Sequence, residues 1–259
     1  MIRMLAGLLG LVAAAAPCWS QQPKEKDLGR HIQVRWFGQS FFQVVTADGT
    51  KIVFDPHAMP EYGRNIVSAD LVLCSHLHND HTQYLILEDG EKAKVIYGLS
   101  VKDKGRTYND VNEKFKNVRV RTVHSYHDEE EGLKRGKNAI FIVEADGLSI
   151  VHLGDLGHTL SNEQVKEIGP VDILMIPVGG IYTLNGEQAK VVQKQLKPRL
   201  YVLPMHYGTK VFDDLQGPAE FLEGQKNVRK LDQSNLLTVP VNVKLDEPVV
   251  VLLGWTSGK

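Results

Sequence analysis

The sequence predicts a single α/β domain in which strands dominate, and three observations lead there. Short apolar runs suited to strands recur along the 259 residues, helical periodicity is confined to a few segments, and no linker or low-complexity tract divides the chain after its first two dozen residues. With 42% hydrophobic and 24% charged residues, the composition is that of a globular protein rather than a disordered or fibrous one.

In chain order, the runs predict strands at 32–37, 41–46, 51–54, 71–75, 95–97, 118–123, 139–144, 149–153, 173–177, 200–204 and 249–253. Helices are expected at 162–168 and 186–196, with a third near 218–222. Two stretches look alike, FFQVVTADGTKIVFDP at 41–56 and IFIVEADGLSIVHLGD at 140–155. Each reads as a strand, an Ala-Asp-Gly hairpin turn and a second apolar strand ending in aspartate, which suggests a fold of two similar halves.

The N-terminus, MIRMLAGLLGLVAAAAPCWSQQ, has one arginine, an apolar run and then small residues, the layout of a secretory signal. Residues 1–20 are therefore expected to be a signal peptide of an exported, periplasmic or secreted bacterial protein, and 30–259 its single domain. The apolar run is too short for a stable span, so no membrane segment is expected after cleavage; a retained anchor is the alternative. Cleavage after Ser20 would remove Cys18 and leave Cys74 without a disulfide partner, in an apolar run where it reads as a small buried hydrophobe.

Thirty Lys and Arg against thirty-one Asp and Glu give a net charge of -1, which argues against nucleic acid as the partner and favours a small-molecule substrate. The basic stretch 102–116 is interrupted by Asp103, Asp110 and Glu113 and reads as a solvated face or loop, as does the acidic run Asp128 to Glu131.

Several polar clusters follow the apolar runs directly: Asp55 and His57, His76 to His81, Asp155, and His206. Side chains leaving neighbouring strands at one edge converge, so one edge is expected to carry the chemistry. The densest cluster, His76, His78, Asp80 and His81, places three imidazoles and a carboxylate within six residues, a donor set that suits zinc and related ions.

This segment resembles the His-x-His-x-Asp-His signature of the metallo-β-lactamase superfamily. The likeness continues through Tyr126 and His127, the Ile150–Asp155 run, Met175–Gly180 with Tyr182 and Thr183, and Leu203–Tyr207. In that order the motifs look like the branch of metal-dependent hydrolases similar to the ascorbate-phosphate lactonases. The resemblance implies a four-layer αββα sandwich and two divalent ions, with zinc expected and manganese or iron as alternatives. It further implies that His76, His78 and His127 hold one ion, that Asp80, His81 and His206 hold the other, and that Asp155 bridges them. The activity implied is hydrolysis of an ester, lactone, amide or phosphoester by a metal-bound hydroxide, formed because cations lower the pKa of bound water to roughly 7. Asp80 is the expected catalytic residue, orienting that water and relaying its proton.

One departure stands out: relatives commonly have Gly-His-Ser where this chain has Gly38, Gln39 and Ser40. Glutamine cannot titrate, so a proton-handling role there is lost. Gln39, His57, His158, Tyr182 and Tyr207 are the candidate substrate-pocket residues, although His57 also reads as an ordinary loop histidine. His124 competes with His127, and His127 is preferred on its family position. His152, inside an apolar strand, reads as a hydrogen-bonded histidine that is not itself a ligand. The alternatives to hydrolysis are an iron-dependent redox enzyme on the same fold and a non-catalytic metal-binding or sensing protein.

Overall fold

The structure is a computed structural model and describes residues 29–63 and 66–255; the expected signal peptide at 1–20 lies outside the described residues. Two mixed β-sheets pack face to face. The first contains β1 (His31–Trp36), β2 (Phe42–Val45), β3 (Lys51–Phe54), β4 (Leu71–Cys74) and β5 (Lys94–Tyr97). The second contains β6 (Asn112–Phe115), β7 (Val118–Tyr126), β8 (Lys137–Ala145), β9 (Leu148–His152), β10 (Ile173–Pro177) and β11 (Tyr201–Met205). Of the last three strands, β12 (Val228–Leu231) and β14 (Val249–Leu253) extend the second sheet, and β13 (Leu236–Pro240) returns to pair with β1.

The look-alike segments are indeed paired hairpins. The β2–β3 hairpin opposes Phe42 to Phe54, and β8–β9 opposes Phe141 to His152. Around them the topology repeats. From β1 to β5 the pairings run antiparallel, antiparallel, parallel, parallel, and from β7 to β11 the same succession recurs. The two hairpin turns meet at the far end, where the Ala47 amide donates to Asp146 Oδ2 at 2.7 Å.

Alternation assigns the faces. Ile52, Phe54, Leu71 and Leu73 enter the main core with Trp36, Phe42, Phe141 and Ile140, while Val53, Val72 and Cys74 form a second cluster with Phe37, Phe41, Val67 and Leu87 on the other face of the first sheet. Cys74 is fully buried there, as its apolar context implies, and burial pushes its thiol well above the ordinary range.

The helices α1 (Asn162–Ile168), α2 (Gly186–Leu196) and α3 (Ala219–Leu222) follow strands of the second sheet and send Ile168, Ala189, Val192, Leu196 and Phe221 into the main core. Capping boxes start the first two: Ser161 and Gln164 for α1, Asn185 and Gln188 for α2. The layer over the outer face of the first sheet differs from the expected α-helices, because among the described residues it is built from single 3-10 turns, including Tyr84–Ile86 and Gly90–Lys92. Asp89 interrupts the run with φ 57, and a Cβ at Gly90 would stand 2.0 Å from the Tyr84 carbonyl oxygen, so the chain turns too tightly for a continuing helix.

Strand direction locates the site. Strands β1, β3 and β4 of the first sheet end at the same edge, as do β7, β9 and β11 of the second, because β8 reverses between β7 and β9. Residues 38–40, 55, 75–81, 127, 155 and 206 all follow those strand ends.

Candidate metal centre

The central atom of the site is a carboxylate oxygen. Asp155 Oδ2 lies 3.1 Å from His127 Nε2, 3.2 Å from both His81 Nε2 and His206 Nε2, and 3.9 Å from His76 Nε2. On one side His76, His78 and His127 bring ring nitrogens into one group; on the other, Asp80, His81 and His206 form a second. All seven residues picked from the sequence therefore meet at one place, and His127, not His124, is the imidazole that reaches it. His124 is instead an exposed side chain paired with Asp110 at 2.7 Å and stacked on Tyr108.

The spacings suit cations. Ligand atoms about 2.0–2.1 Å from a tetrahedral zinc are roughly 3.4 Å from one another, and most of the distances around Asp155 Oδ2 fall near that value. His81 Nε2, which faces Asp155 Oδ2, is buried without a hydrogen-bond partner, an arrangement that a folded protein rarely leaves uncompensated. A single carboxylate oxygen cannot satisfy three converging Nε2 atoms, whereas cations between them would take the lone pairs of His81, His127 and His206 together.

Electrostatics fit the same use. Burial, reinforced by neighbouring imidazoles, pushes His76 well below and His78 below the ordinary histidine value, so both are neutral lone-pair donors. Burial would raise Asp155, but the surrounding imidazoles hold it well below the usual carboxylate range. His81 behaves differently: burial alone would lower it, yet Asp155 and Asp55 hold it well above its ordinary value. Asp80, with 41% of its side chain exposed, opens the site to solvent beside exposed His78; burial raises its carboxyl, but His81 nearby brings it down to about 2, so it is ionised at neutral pH.

A shell of polar groups holds these residues in place, and the sequence did not single out several of them. Asp55 is fully buried, accepts the Ser75 amide at 2.7 Å and the Ser75 hydroxyl at 2.6 Å, and lies 3.0 Å from His81 Nδ1. Although Asp55, His76 and His81 also cluster, Asp55 is already committed to Ser75, so it supports a ligand better than it serves as one. Ser40 Oγ donates to Asp155 Oδ1 at 3.0 Å, and Asn138 Oδ1 accepts the Asp155 amide at 3.0 Å. Gly154, at φ 57, is needed because a Cβ there would strike Asn138 Oδ1 at 2.3 Å. His152 accepts the Gly154 amide and contacts the Ser40 carbonyl while stacking on Phe54, a supporting role as its apolar strand implied.

The candidate pocket residues divide. Gln39 is buried between Trp36 and His206. Tyr207 stacks on Trp36 with centroids 5.2 Å apart. His57 is fixed by the Phe37 carbonyl and the Met59 amide and packs edge-on against Phe41, a structural setting. His158 accepts the Tyr126 amide and lines a cavity of about 640 Å³ with Asp128, Glu131 and Glu163, a lining that includes none of the converging imidazoles. Tyr182 is half exposed under Arg135. Asp128 is a correction to the solvated acidic loop: it is buried and accepts the amides of Glu130, Gly132, Lys134 and Arg135, which tie the loop after His127 into a knot.

The family described as "Beta-lactamase superfamily domain" matches residues 33–206. A metal-dependent hydrolase of Pyrococcus abyssi is 32% identical over 203 residues, covering 69% of this chain and 85% of the relative. The chain belongs to the metal-dependent hydrolases of the metallo-β-lactamase superfamily. A crystal structure from Thermotoga maritima, assigned to the Zn-dependent hydrolases of this superfamily, superposes with a TM-score of 0.65 at 30% identity, covering 86% of this chain and 98% of that one. A metallo hydrolase of Ignicoccus hospitalis shares the fold, with a TM-score of 0.60 at 23% identity over 80% of this chain and 98% of that one. The superfamily's sandwich, with its site at one sheet edge, is the architecture described above.

Proposed function

We propose that the chain is an exported hydrolase that works with two divalent ions, zinc by donor type, and cleaves an ester, lactone, amide or phosphoester bond in a small molecule. The observation that carries this is the position of Asp155 Oδ2, equidistant from imidazoles of both groups, where one oxygen can be shared. His76, His78 and His127 would hold one ion, Asp80, His81 and His206 the other, with Asp155 common to both. The chemistry such a pair supplies when bound is activation of water near neutral pH and polarisation of the bond to be cut.

The protein's own contribution follows from its residues. Neutral His76 and His78 offer lone pairs without first losing a proton, which favours loading at neutral pH. Asp55, Ser40, Ser75 and Asn138 fix the ligands before substrate arrives, so little reorganisation is needed during reaction. Asp80 stands ionised on the open side, where its carboxylate would accept a hydrogen bond from the attacking water and set its direction. Burial of His76, His81, Asp155 and His206 keeps bulk water from the inner side and leaves the approach past His78 and Asp80 for substrate. Export rests on the charge and apolar pattern of residues 1–20 alone.

The test is a panel of model esters, lactones, amides and phosphodiesters assayed with and without chelator. Turnover that chelator abolishes and added zinc restores is the expected result. Metal bound without turnover on any member would favour a sensing protein, and bound iron with a redox-active spectrum would favour oxidative chemistry.

A further inference from the structure

Ser75, fully buried at the end of β4, places its hydroxyl between the supporting carboxylate of Asp55 and the first imidazole of the centre. Its backbone is held from both sheets: the amide donates to Asp55 Oδ1 at 2.7 Å, and the carbonyl accepts the amide of Ala139 in β8 at 3.1 Å. The side chain is confined as well. A Cβ at Gly154 would stand 2.7 Å from Ser75 Cβ and 2.8 Å from Oγ, so glycine there leaves the room that the hydroxyl occupies. Within that space Oγ lies 2.6 Å from Asp55 Oδ2 and 2.9 Å from His76 Nδ1.

A hydroxyl has one proton to donate, and these two neighbours compete for it. The distance to Asp55 is that of an O–H donating to an ionised carboxylate, a group that can only accept. The proton therefore points to Asp55, and the oxygen turns a lone pair to His76. A neutral imidazole carries one N–H and one lone pair, so an acceptor at Nδ1 puts the hydrogen there and the lone pair on Nε2. Nε2 is the atom that faces the centre, 2.9 Å from His78 Nδ1 and 3.9 Å from Asp155 Oδ2. We propose that Ser75 is a positioning residue whose hydroxyl extends the influence of the Asp55 carboxylate to His76, fixing the hydrogen on Nδ1 and leaving Nε2 free for a cation. Asp55 Oδ2 also lies 3.0 Å from His81 Nδ1. One buried anion thus orders an imidazole in each ligand group, His81 directly and His76 through a serine. This role rests on the two-ion reading above, and it means that both ion sites are prepared by the same carboxylate. Metal-bound histidines ordinarily give their second N–H to a carboxylate, a carbonyl or water, and here the serine hydroxyl takes that place.

The test begins with the native full chain, loaded with zinc and labelled with nitrogen-15 at histidine, because long-range proton–nitrogen correlation spectra read the tautomer of each ring. His76 is expected to carry its hydrogen on Nδ1 and the metal on Nε2. A hydrogen on Nε2, or metal on Nδ1, would overturn the role of Ser75 while leaving the two-ion centre intact. Ser75→Ala removes the acceptor of the His76 N–H but keeps Asp55 beside His81. Competition titration with a chromophoric chelator is expected to show one zinc ion weakened by about tenfold and the other held within about twofold of native. A Ser75→Ala protein that binds both ions like native, or weakens both by the same factor, would also overturn the role. Should that variant fail to fold, the native spectrum decides without it. Native protein that takes up no zinc would overturn the two-ion reading and this inference with it.

Discussion

Replacing Asp55 with asparagine tests how the centre is held. The carboxylate uses Oδ1 for the Ser75 amide at 2.7 Å, and Oδ2 for the Ser75 hydroxyl at 2.6 Å and the approach to His81 Nδ1 at 3.0 Å. An anion at that place favours the His81 tautomer protonated on Nδ1, which leaves the Nε2 lone pair, 3.2 Å from Asp155 Oδ2, free for a cation. Asparagine can keep one acceptor toward the Ser75 amide, but its NH2 group then faces Nδ1 and favours the opposite tautomer, with the proton on the atom that must bind. Loss of such a supporting carboxylate costs about 10- to 100-fold in metal affinity, or about 1.4–2.8 kcal/mol. Competition titration with a chromophoric chelator reads this directly, and circular dichroism checks that the fold is kept. A folded Asp55→Asn protein whose zinc affinity stays within about twofold of native would refute the argument that Asp55 acts through His81.

Asp128→Asn should lower unfolding free energy by about 2–4 kcal/mol in urea titration, because a buried carboxylate that accepts four backbone amides is replaced by a group that must turn donors toward two of them; a cost below about 0.5 kcal/mol would contradict the knot. His57 is held down to about 4 by burial, so between roughly pH 6.5 and 4 the unfolded chain takes up a proton that the folded protein refuses, and stability falls as the solution is acidified. The His57→Gln variant should lose up to about 3 kcal/mol less than native over that window, and parallel stability curves would contradict the assignment. Phe54→Ala, in the core between the sheets, should cost about 3–5 kcal/mol and also loosen the ring stacked on His152.

Much of the fold was legible because period-two patterning follows from burial of one or both faces. The runs at 51–54, 173–177 and 249–253 coincide with β3, β10 and β14. The strands that escaped are at or near sheet edges: β6 is NEKF and β12 is VRKL, both largely exposed, so no hydrophobic pattern is required of them. In β13 the burial does alternate, but the strand is five residues long and ends on Pro240, which hides a weak signal. The basic stretch 102–116 is largely exposed, with Val111 buried, and its end pairs as β6 rather than remaining loop. Short 3-10 turns over the first sheet carry no 3.6-residue period and could not be found by looking for one.

The site was more legible than its surroundings. Imidazoles and aspartates placed after strands converge because the sheets fix where strands end, and all seven chosen residues meet. Asp55 was placed at the chemical edge by its position after a strand and in the repeated hairpin, but one carboxylate has no spacing signature to assign it the support of His81. Asp128 was misread because an acidic run looks solvated until the four amides that fold back onto it are seen. Charge in sequence does not reveal which carboxylate the backbone will enclose.

Elemental analysis of the purified protein, beside His78→Ala and His127→Ala, is the most direct check on the shared-carboxylate centre. The native chain should carry about two equivalents of a divalent transition ion, and each variant should drop by about one or more with turnover lost. Native protein that stays free of such ions after dialysis against zinc, or variants that retain the full complement, would contradict the account.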